Sequence, residues 1–279
     1  MKKVLIIGKN SYIGKSFEAH ANGRYAITMA SSRNETWKKI GFTGYDTILH
    51  CAGIAHTKQT AKMEEQYYAV NCDLAVEVAN KAKSEKVKQF IFLSSMSVYG
   101  RKTSEINSET TPDPDGPYGS SKLKAEQELQ KLADKNFIIC VIRPPMVYGK
   151  DSPGNFQKLV KLAEKTPIFP DYPNKRSMIY IENLCEFIAK VIDNNSSGIH
   201  LPQNDSYVNT TELVKSISRL KNKKILTTKL FNPILSLLKK HISPINKLFG
   251  DLTYARTGNE KEYNIVTIEE SIKRSLPCS

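Results

Sequence analysis

The sequence predicts an α/β protein: a doubly wound parallel sheet with a smaller C-terminal lobe. Short all-apolar runs such as residues 4–7, without polar alternation, are what a strand covered on both faces requires. Such runs recur with helical stretches between them, the order that builds a parallel sheet. After Arg143, prolines at 144, 145, 153, 167, 170 and 173 break the rhythm and place a lobe boundary near residue 150.

Taken in order, Val4-Leu5-Ile6-Ile7 runs into Gly8 as a first strand entering a tight turn, with a helix expected over 14–22. Further strands are expected at 25–30, 47–50, 89–94 and 137–142. Between the third and fourth, residues 60–84 place Tyr68, Cys72, Ala75, Val76 and Ala79 at helical spacing, long enough for a crossover helix. Past the boundary, 178–181 and 198–201 flank a helix over 183–193 and look like a return to the sheet. The expected division is therefore a first domain of 1–150, completed by 177–203, and a lobe of 151–279.

With 279 residues, 40% hydrophobic and 25% charged, the chain has the balance of a globular protein, and collagen-like and low-complexity readings are excluded. The net charge of +13 suits an anionic partner without naming one. Its basic residues form no aromatic-interleaved stripe, which counts against nucleic-acid recognition. Five cysteines, an odd number with no metal-type spacing, read as reduced thiols of a cytoplasmic protein. Five histidines likewise show no ligand spacing, so no metal is expected; His56 could approach a substrate, but a satisfied loop histidine is the commoner outcome for such a residue. The first apolar run is too short for a signal peptide and none is long enough to span a bilayer, so no membrane insertion is expected. Residues 230–252 mix aliphatics with Lys239, Lys240 and Lys247. They admit a membrane-surface helix, but Pro233 and Pro244 favour helices of the C-terminal lobe.

Gly8-Lys9-Asn10-Ser11-Tyr12-Ile13-Gly14 follows a strand and opens a helix, the setting in which a glycine-rich loop holds a pyrophosphate on backbone N–H groups. An ordinary strand-to-helix turn stays open, because the middle position carries Ser11 rather than glycine. The second strand ends in Ser31, Ser32 and Arg33 with no acidic residue for ribose hydroxyls. Together with Lys9 this favours NADP(H), with NAD(H) also accommodated.

Tyr118 and Lys122 stand four residues apart, one above the other on a helix face. At ~4 Å and an effective dielectric of ~20, an ammonium attracts a phenolate by about 4 kcal/mol, which would bring Tyr118 toward the working range of a general acid or base. A preceding strand ends in Ser94-Ser95, and ligands of open parallel sheets sit at strand ends. There a hydroxyl at Ser95 could hold a carbonyl oxygen.

These features, with His50-Cys51-Ala52-Gly53, Leu93-Ser94-Ser95-Met96-Ser97-Val98-Tyr99-Gly100, Arg143-Pro144-Pro145-Met146-Val147-Tyr148-Gly149 and the stretch from Arg176 to Asn183, resemble the extended short-chain dehydrogenase/reductases. More narrowly they resemble the nucleotide-sugar epimerases and reductases of the NAD-dependent epimerase/dehydratase family. That resemblance implies a Rossmann domain with a substrate lobe, and a catalytic trio of Ser95, Tyr118 and Lys122. Gly8, Ser11, Tyr12, Ile13 and Gly14 match the pyrophosphate loop; Cys51, Ala52, Gly53 and Pro145 match positions beside the cofactor. Met96, Asn155, Phe156 and Arg176 match positions that meet the sugar diphosphate. Met96 and Ser97 replace the acidic pair of the dehydratases, so dehydration is not expected.

The function implied is reduction of a 4-keto-6-deoxy sugar carried on a nucleotide diphosphate, UDP in the first instance, for surface polysaccharide synthesis. A UDP-hexose 4-epimerase with retained NAD is the alternative, and a silent dinucleotide-binding regulator the alternative of another class. A homodimer through paired crossover helices is a further expectation of the resemblance.

Overall fold

A computed structural model describes residues 1–55, 61–239 and 241–276; His56 and Cys278 lie outside the described residues. Six parallel strands make the central sheet: β1 (Lys3–Ile7), β2 (Ala26–Ala30), β3 (Thr47–His50), β4 (Gln89–Leu93), β5 (Ile138–Ile142) and β6 (Gly198–His200). Their order is β6-β5-β4-β3-β1-β2, reversing direction of travel at β1 and β3 as a doubly wound sheet does.

The helices that matter here are α1 (Tyr12–His20), α2 (Ala61–Tyr68), α3 (Leu74–Ser84), α4 (Pro117–Gln130), α5 (Asn155–Lys165), α6 (Ile181–Asp193), α7 (Thr210–Leu220) and α8 (Asn232–Leu238). Along the sheet, Leu5, Ile7, Ile48, Phe90, Phe92, Ile139 and Val141 share one core with Ala75, Val78, Ala79 and Ala82 of α3 and with Ala125 and Leu129 of α4. The alternate residues of the same strands point to the opposite face, where α1 packs beside α6. Both faces being covered explains why β3 and β4 are buried end to end.

Two expectations change. The crossover is helical without a break over 61–84, but not of one pitch: a π-turn at Ala69–Asp73 lies between α2 and α3. Residues 178–181 do not return to the central sheet either. Met178–Tyr180 pairs in parallel with Met146–Tyr148 in a separate two-stranded sheet, and only 198–200 joins β5. Pro144 and Pro145 lack the N–H groups that would continue the β5 ladder, so the chain leaves the sheet there and finds a new partner. The proline-rich stretch also holds α5 and a strand at Ile168–Pro170, its prolines falling at element ends.

The chain divides into two compact units, Met1–Arg101 with Thr111–Pro145 and Ile181–Pro202, and Lys102–Thr110 with Met146–Tyr180 and Gln203–Ser279. A single cut near 150 therefore misplaces 102–110, and the second unit begins at Met146.

Candidate active site

Gly8 ends β1 with φ +118°, and a Cβ there would stand 2.8 Å from the Ala52 nitrogen and 3.0 Å from the Cys51 carbonyl carbon. Only glycine accepts both the backbone conformation and the close approach of the β3 end. Gly8 and Lys9 both donate their N–H to the Ala30 carbonyl at 2.9 Å, tying the turn to the end of β2. Ser11 is extended and N-caps α1, its Oγ accepting from the Gly14 N–H at 3.0 Å. The serine in the middle of the glycine motif thus shapes the helix start. With no acidic residue in its first turn, α1 presents unopposed positive dipole to an anion. The turn fits a dinucleotide pyrophosphate.

Across the strand ends, Lys122 of α4 is 4% exposed, and its Nζ donates to the Leu93 carbonyl at 2.8 Å and lies 4.5 Å from the Phe92 ring centre. Burial holds the Lys122 pKa down at about 8, against smaller raising effects from Cys51 and Glu126. A Cβ on Gly53 would come within 3.2 Å of that Nζ and 3.0 Å of Asn71 Oδ1, so Gly53 is what leaves room for the lysine. Asn71 sits in the π-turn, fully buried. Its Oδ1 accepts from the Ile54 N–H at 2.9 Å while Nδ2 donates to the Ile54 carbonyl and to Ser121 Oγ, both at 3.1 Å. It pins the loop after β3 to α4, and sequence reading passed over it; a lone amide inside an apolar helical stripe was the available signal.

Ser95 is extended and caps the short 3₁₀ turn Met96–Tyr99 at the end of β4, its Oγ accepting from the Ser97 N–H at 3.1 Å. Tyr118 sits at the start of α4 with Tyr67 6.0 Å away, centre to centre. Burial raises the Tyr118 pKa; a hydrogen bond with the Ser95 hydroxyl pulls it down and Tyr67 adds slightly to the rise. The expected lowering by Lys122 is therefore corrected: the phenol is raised, and the ammonium is not among the groups acting on it. One helix face carries both side chains, and one N–H of the ammonium is donated to the Leu93 carbonyl.

Below these groups lies a buried ion pair that spacing alone did not disclose. Arg143, at the end of β5, donates from Nε to both Glu126 oxygens at 3.1 Å, pairs with Glu126 again through Nη2, and donates from Nη1 to the Tyr99 hydroxyl at 2.6 Å. Ser94 Oγ donates to Glu126 as well. The network joins α4, which carries Tyr118 and Lys122, to the end of β4, which is followed by Ser95, and to β5.

Of the remaining predicted residues, Lys9 and Arg33 are exposed, Ser32 and Tyr12 are half-buried, and Pro145 is buried. Met96 is 6% exposed and turned inward, its N–H donated to the Pro144 carbonyl at 2.9 Å. Asn155, Phe156 and Arg176 belong to the second unit. Asn155 opens α5 and is exposed, whereas Phe156 is fully buried with its ring 5.1 Å from Tyr148, so its side chain packs the core. Arg176 is half-buried, exchanges backbone hydrogen bonds with Val208 and donates from Nη1 to the Gly250 carbonyl at 2.9 Å.

A doubly wound sheet with a glycine cradle at β1, and a Ser, Tyr and Lys gathered at its strand ends, defines a dinucleotide-dependent enzyme. The model of the NAD dependent epimerase/dehydratase family matches residues 4–207, and the chain belongs to that family. Over 224 residues it is 31% identical to the UDP-glucose 4-epimerase of Vibrio cholerae, spanning 75% of this chain and 68% of that one. Over 242 residues it is 25% identical to the UDP-2-acetamido-2,6-beta-L-arabino-hexul-4-ose reductase of Pseudomonas aeruginosa, spanning 81% of this chain and 60% of the other. Among solved structures, the UDP-glucuronic acid 4-epimerase of Bacillus cereus in complex with NAD matches with a TM-score of 0.77 at 17% identity, over 98% of this chain and 94% of that one. The dTDP-4-dehydrorhamnose reductase of Bacillus anthracis in complex with NADP matches with 0.72 at 19%, over 99% of each. At such identities the structural likeness is one of fold.

Proposed function

We propose that the protein transfers a hydride at C4 of a sugar carried on a nucleotide diphosphate, reducing a 4-keto-6-deoxy sugar with NADP(H). The grouping of Ser95, Tyr118 and Lys122 in the unit that holds the Gly8 cradle carries this reading. A bound nicotinamide dinucleotide supplies the hydride. Gly8, Ser11, Tyr12, Ile13 and Gly14 hold its pyrophosphate on the α1 N-terminus, with Cys51, Ala52, Gly53 and Pro145 beside it. Lys9, Ser32 and the exposed Arg33 receive a ribose phosphate, and Lys122 holds the nicotinamide ribose.

In this mechanism the Ser95 hydroxyl donates a hydrogen bond to the C4 carbonyl oxygen, concentrating positive charge at the carbon to be reduced. Tyr118, kept protonated by burial, gives its proton to the forming alkoxide. Arg176 and Asn155 bind the sugar diphosphate, and a guanidinium offers phosphate a two-pronged contact. A homodimer through paired crossover helices belongs to the same reading; a concavity of about 550 Å³, lined by Tyr68, Cys72, Val76 and Lys124 among others, lies on α3 and α4.

The 31% identity to a UDP-glucose 4-epimerase favours a second reading, in which Tyr118 first removes the C4 hydroxyl proton and the C4 hydride, taken up by a retained NAD, is given back to the other face of the 4-keto sugar. One assay separates them. A 4-keto nucleotide sugar with NADPH loses nicotinamide absorbance in the reductase, and Tyr118→Phe lowers the rate by about 10²–10⁴-fold. Interconversion of two UDP-hexoses with no net change in absorbance makes the protein an epimerase. Dinucleotide binding without either reaction makes it a silent binder.

A further inference from the structure

Helix α8 has no buried residue and meets the protein through polar side chains as well as through Leu235 and Leu238. Asn232 donates from Nδ2 to the Asp171 carbonyl at 2.9 Å, Ser236 Oγ meets the Tyr172 hydroxyl at 3.1 Å, and Lys239 stands 5.2 Å from the Tyr172 ring centre. At 3.6 residues per turn these three form one stripe, and this polar stripe faces the protein. About half a turn round, Ile234 and Leu237 point to solvent at 60% and 64% exposure. Leu230 just before the helix is 83% exposed, and Leu226 on the neighbouring strand 70%. A helix that packs polar side chains inward and displays such aliphatics has an apolar surface in search of a second phase.

Charge identifies that phase. From 213 to 250 the sequence contains nine Lys or Arg residues and no Asp or Glu. Lys223, Lys224, Lys229 and Lys247 are exposed around the aliphatic patch. A second copy docked on the same face would set these exposed lysines against their own kind, at a cost that grows as the patch closes. An anionic surface instead gains from each exposed lysine that reaches it. The exposed apolar side chains here are mostly aliphatic, Leu226, Leu230, Ile234 and Leu237 against the single aromatic Phe231, which suits acyl chains better than stacked bases. Among the described residues no helix is long and apolar enough to cross a membrane, so the contact lies in the plane of the surface.

We infer that residues 223–239 and 241–247 form a docking surface for an anionic lipid bilayer, with Leu230, Ile234 and Leu237 entering the acyl boundary and Lys224, Lys229 and Lys247 meeting headgroups. The inference stands apart from the reaction proposed above, because vesicle binding is read without substrate.

The test is flotation of the purified full-length protein with vesicles of phosphatidylcholine alone or of phosphatidylcholine with phosphatidylglycerol. The expected result is binding to the anionic vesicles only, falling as salt rises from about 0.1 to 0.5 M. Ile234→Ser with Leu237→Ser is expected to weaken it at least about tenfold, as many acyl-inserting side chains do. Lys224→Gln with Lys229→Gln is also expected to weaken it more than tenfold, at about fivefold per basic residue. Ile265→Ser, at an exposed position outside the patch, leaves binding unchanged. All substitutions are at exposed positions, and unchanged circular dichroism spectra and dinucleotide-induced thermal shifts verify the fold. No vesicle binding, equal binding to neutral vesicles, or binding indifferent to both double variants overturns the inference. So does a dimer, or an oligonucleotide complex, that the Ile234/Leu237 variant disperses while vesicles fail to bind.

Discussion

At Gly53 the site depends on an absent side chain. A methyl group there would press on Asn71 Oδ1 at 3.0 Å and Lys122 Nζ at 3.2 Å, and each would have to give by a few tenths of an ångström. Gly53→Ala is therefore expected to fold with a melting temperature close to wild type but to lose about 10- to 100-fold in kcat/KM, the scale of a small misplacement of a catalytic group. Lys122 itself is held against its preference. Its folded pKa of about 8 lies below the 10.5 of an exposed lysine, so the unfolded chain binds the proton more tightly. The burial penalty is fully present below pH 8 and fades as pH rises from 8 to 10.5. Lys122→Met, inactive, is expected to melt above the wild type at pH 7, with the gap closing by pH 10; thermal melts of the dinucleotide-free proteins across that range measure it. The Tyr-Lys spacing was legible because both residues are on one helix, whereas the destination of the ammonium was not, since the Leu93 carbonyl lies 29 positions upstream.

Between elements, the pairing of Glu126 on α4 with Arg143 at the end of β5 fixes how the helix sits on the sheet. Removing one partner strands the other charge in a buried place, and Glu126→Ala is expected to cost about 3–5 kcal/mol in urea unfolding. Glu126→Leu with Arg143→Met, which strands neither, recovers most of that loss. Strands β1, β3, β4 and β5 could be read from apolar runs because both sheet faces are covered there, whereas β2 lies at the sheet edge with Thr28 exposed. The pairing of Met178–Tyr180 could not, since a three-residue apolar strand has no local feature that says which ladder it joins. Asn71 stayed hidden for a related reason: its partners, Ile54 and Ser121, are brought to it only by the fold.

For the molecule as a whole, His50 is a buried neutral base at the centre of the sheet, between Phe90 and Phe92, and neither ring nitrogen has a hydrogen-bond partner among the described residues. Burial, aided by the Lys122 charge, lowers its pKa from 6.5 to about 3. The unfolded chain takes up a proton below 6.5 that the folded chain refuses, so stability falls as pH drops from 6.5 toward 3. His50→Phe is expected to move the midpoint of acid unfolding to lower pH, followed by circular dichroism through that window. The division into two units was visible as the proline-rich change of texture after Arg143. The capture of 102–110 by the second unit was not, because that segment's strand, Glu105–Ile106, is completed by Thr253–Tyr254 far downstream. The π-turn at Ala69–Asp73 has the widest reach of these features. One residue inserted into a helical pitch swings everything after it by about 100°. Tyr67 ahead of the slip is thereby aimed at Tyr118, while Ala75, Val78, Ala79 and Ala82 behind it lie flat on the sheet. A single connection between two strands does the duty of two rods set at different rolls, and straightening it would force a choice between furnishing the chemistry and sealing the core.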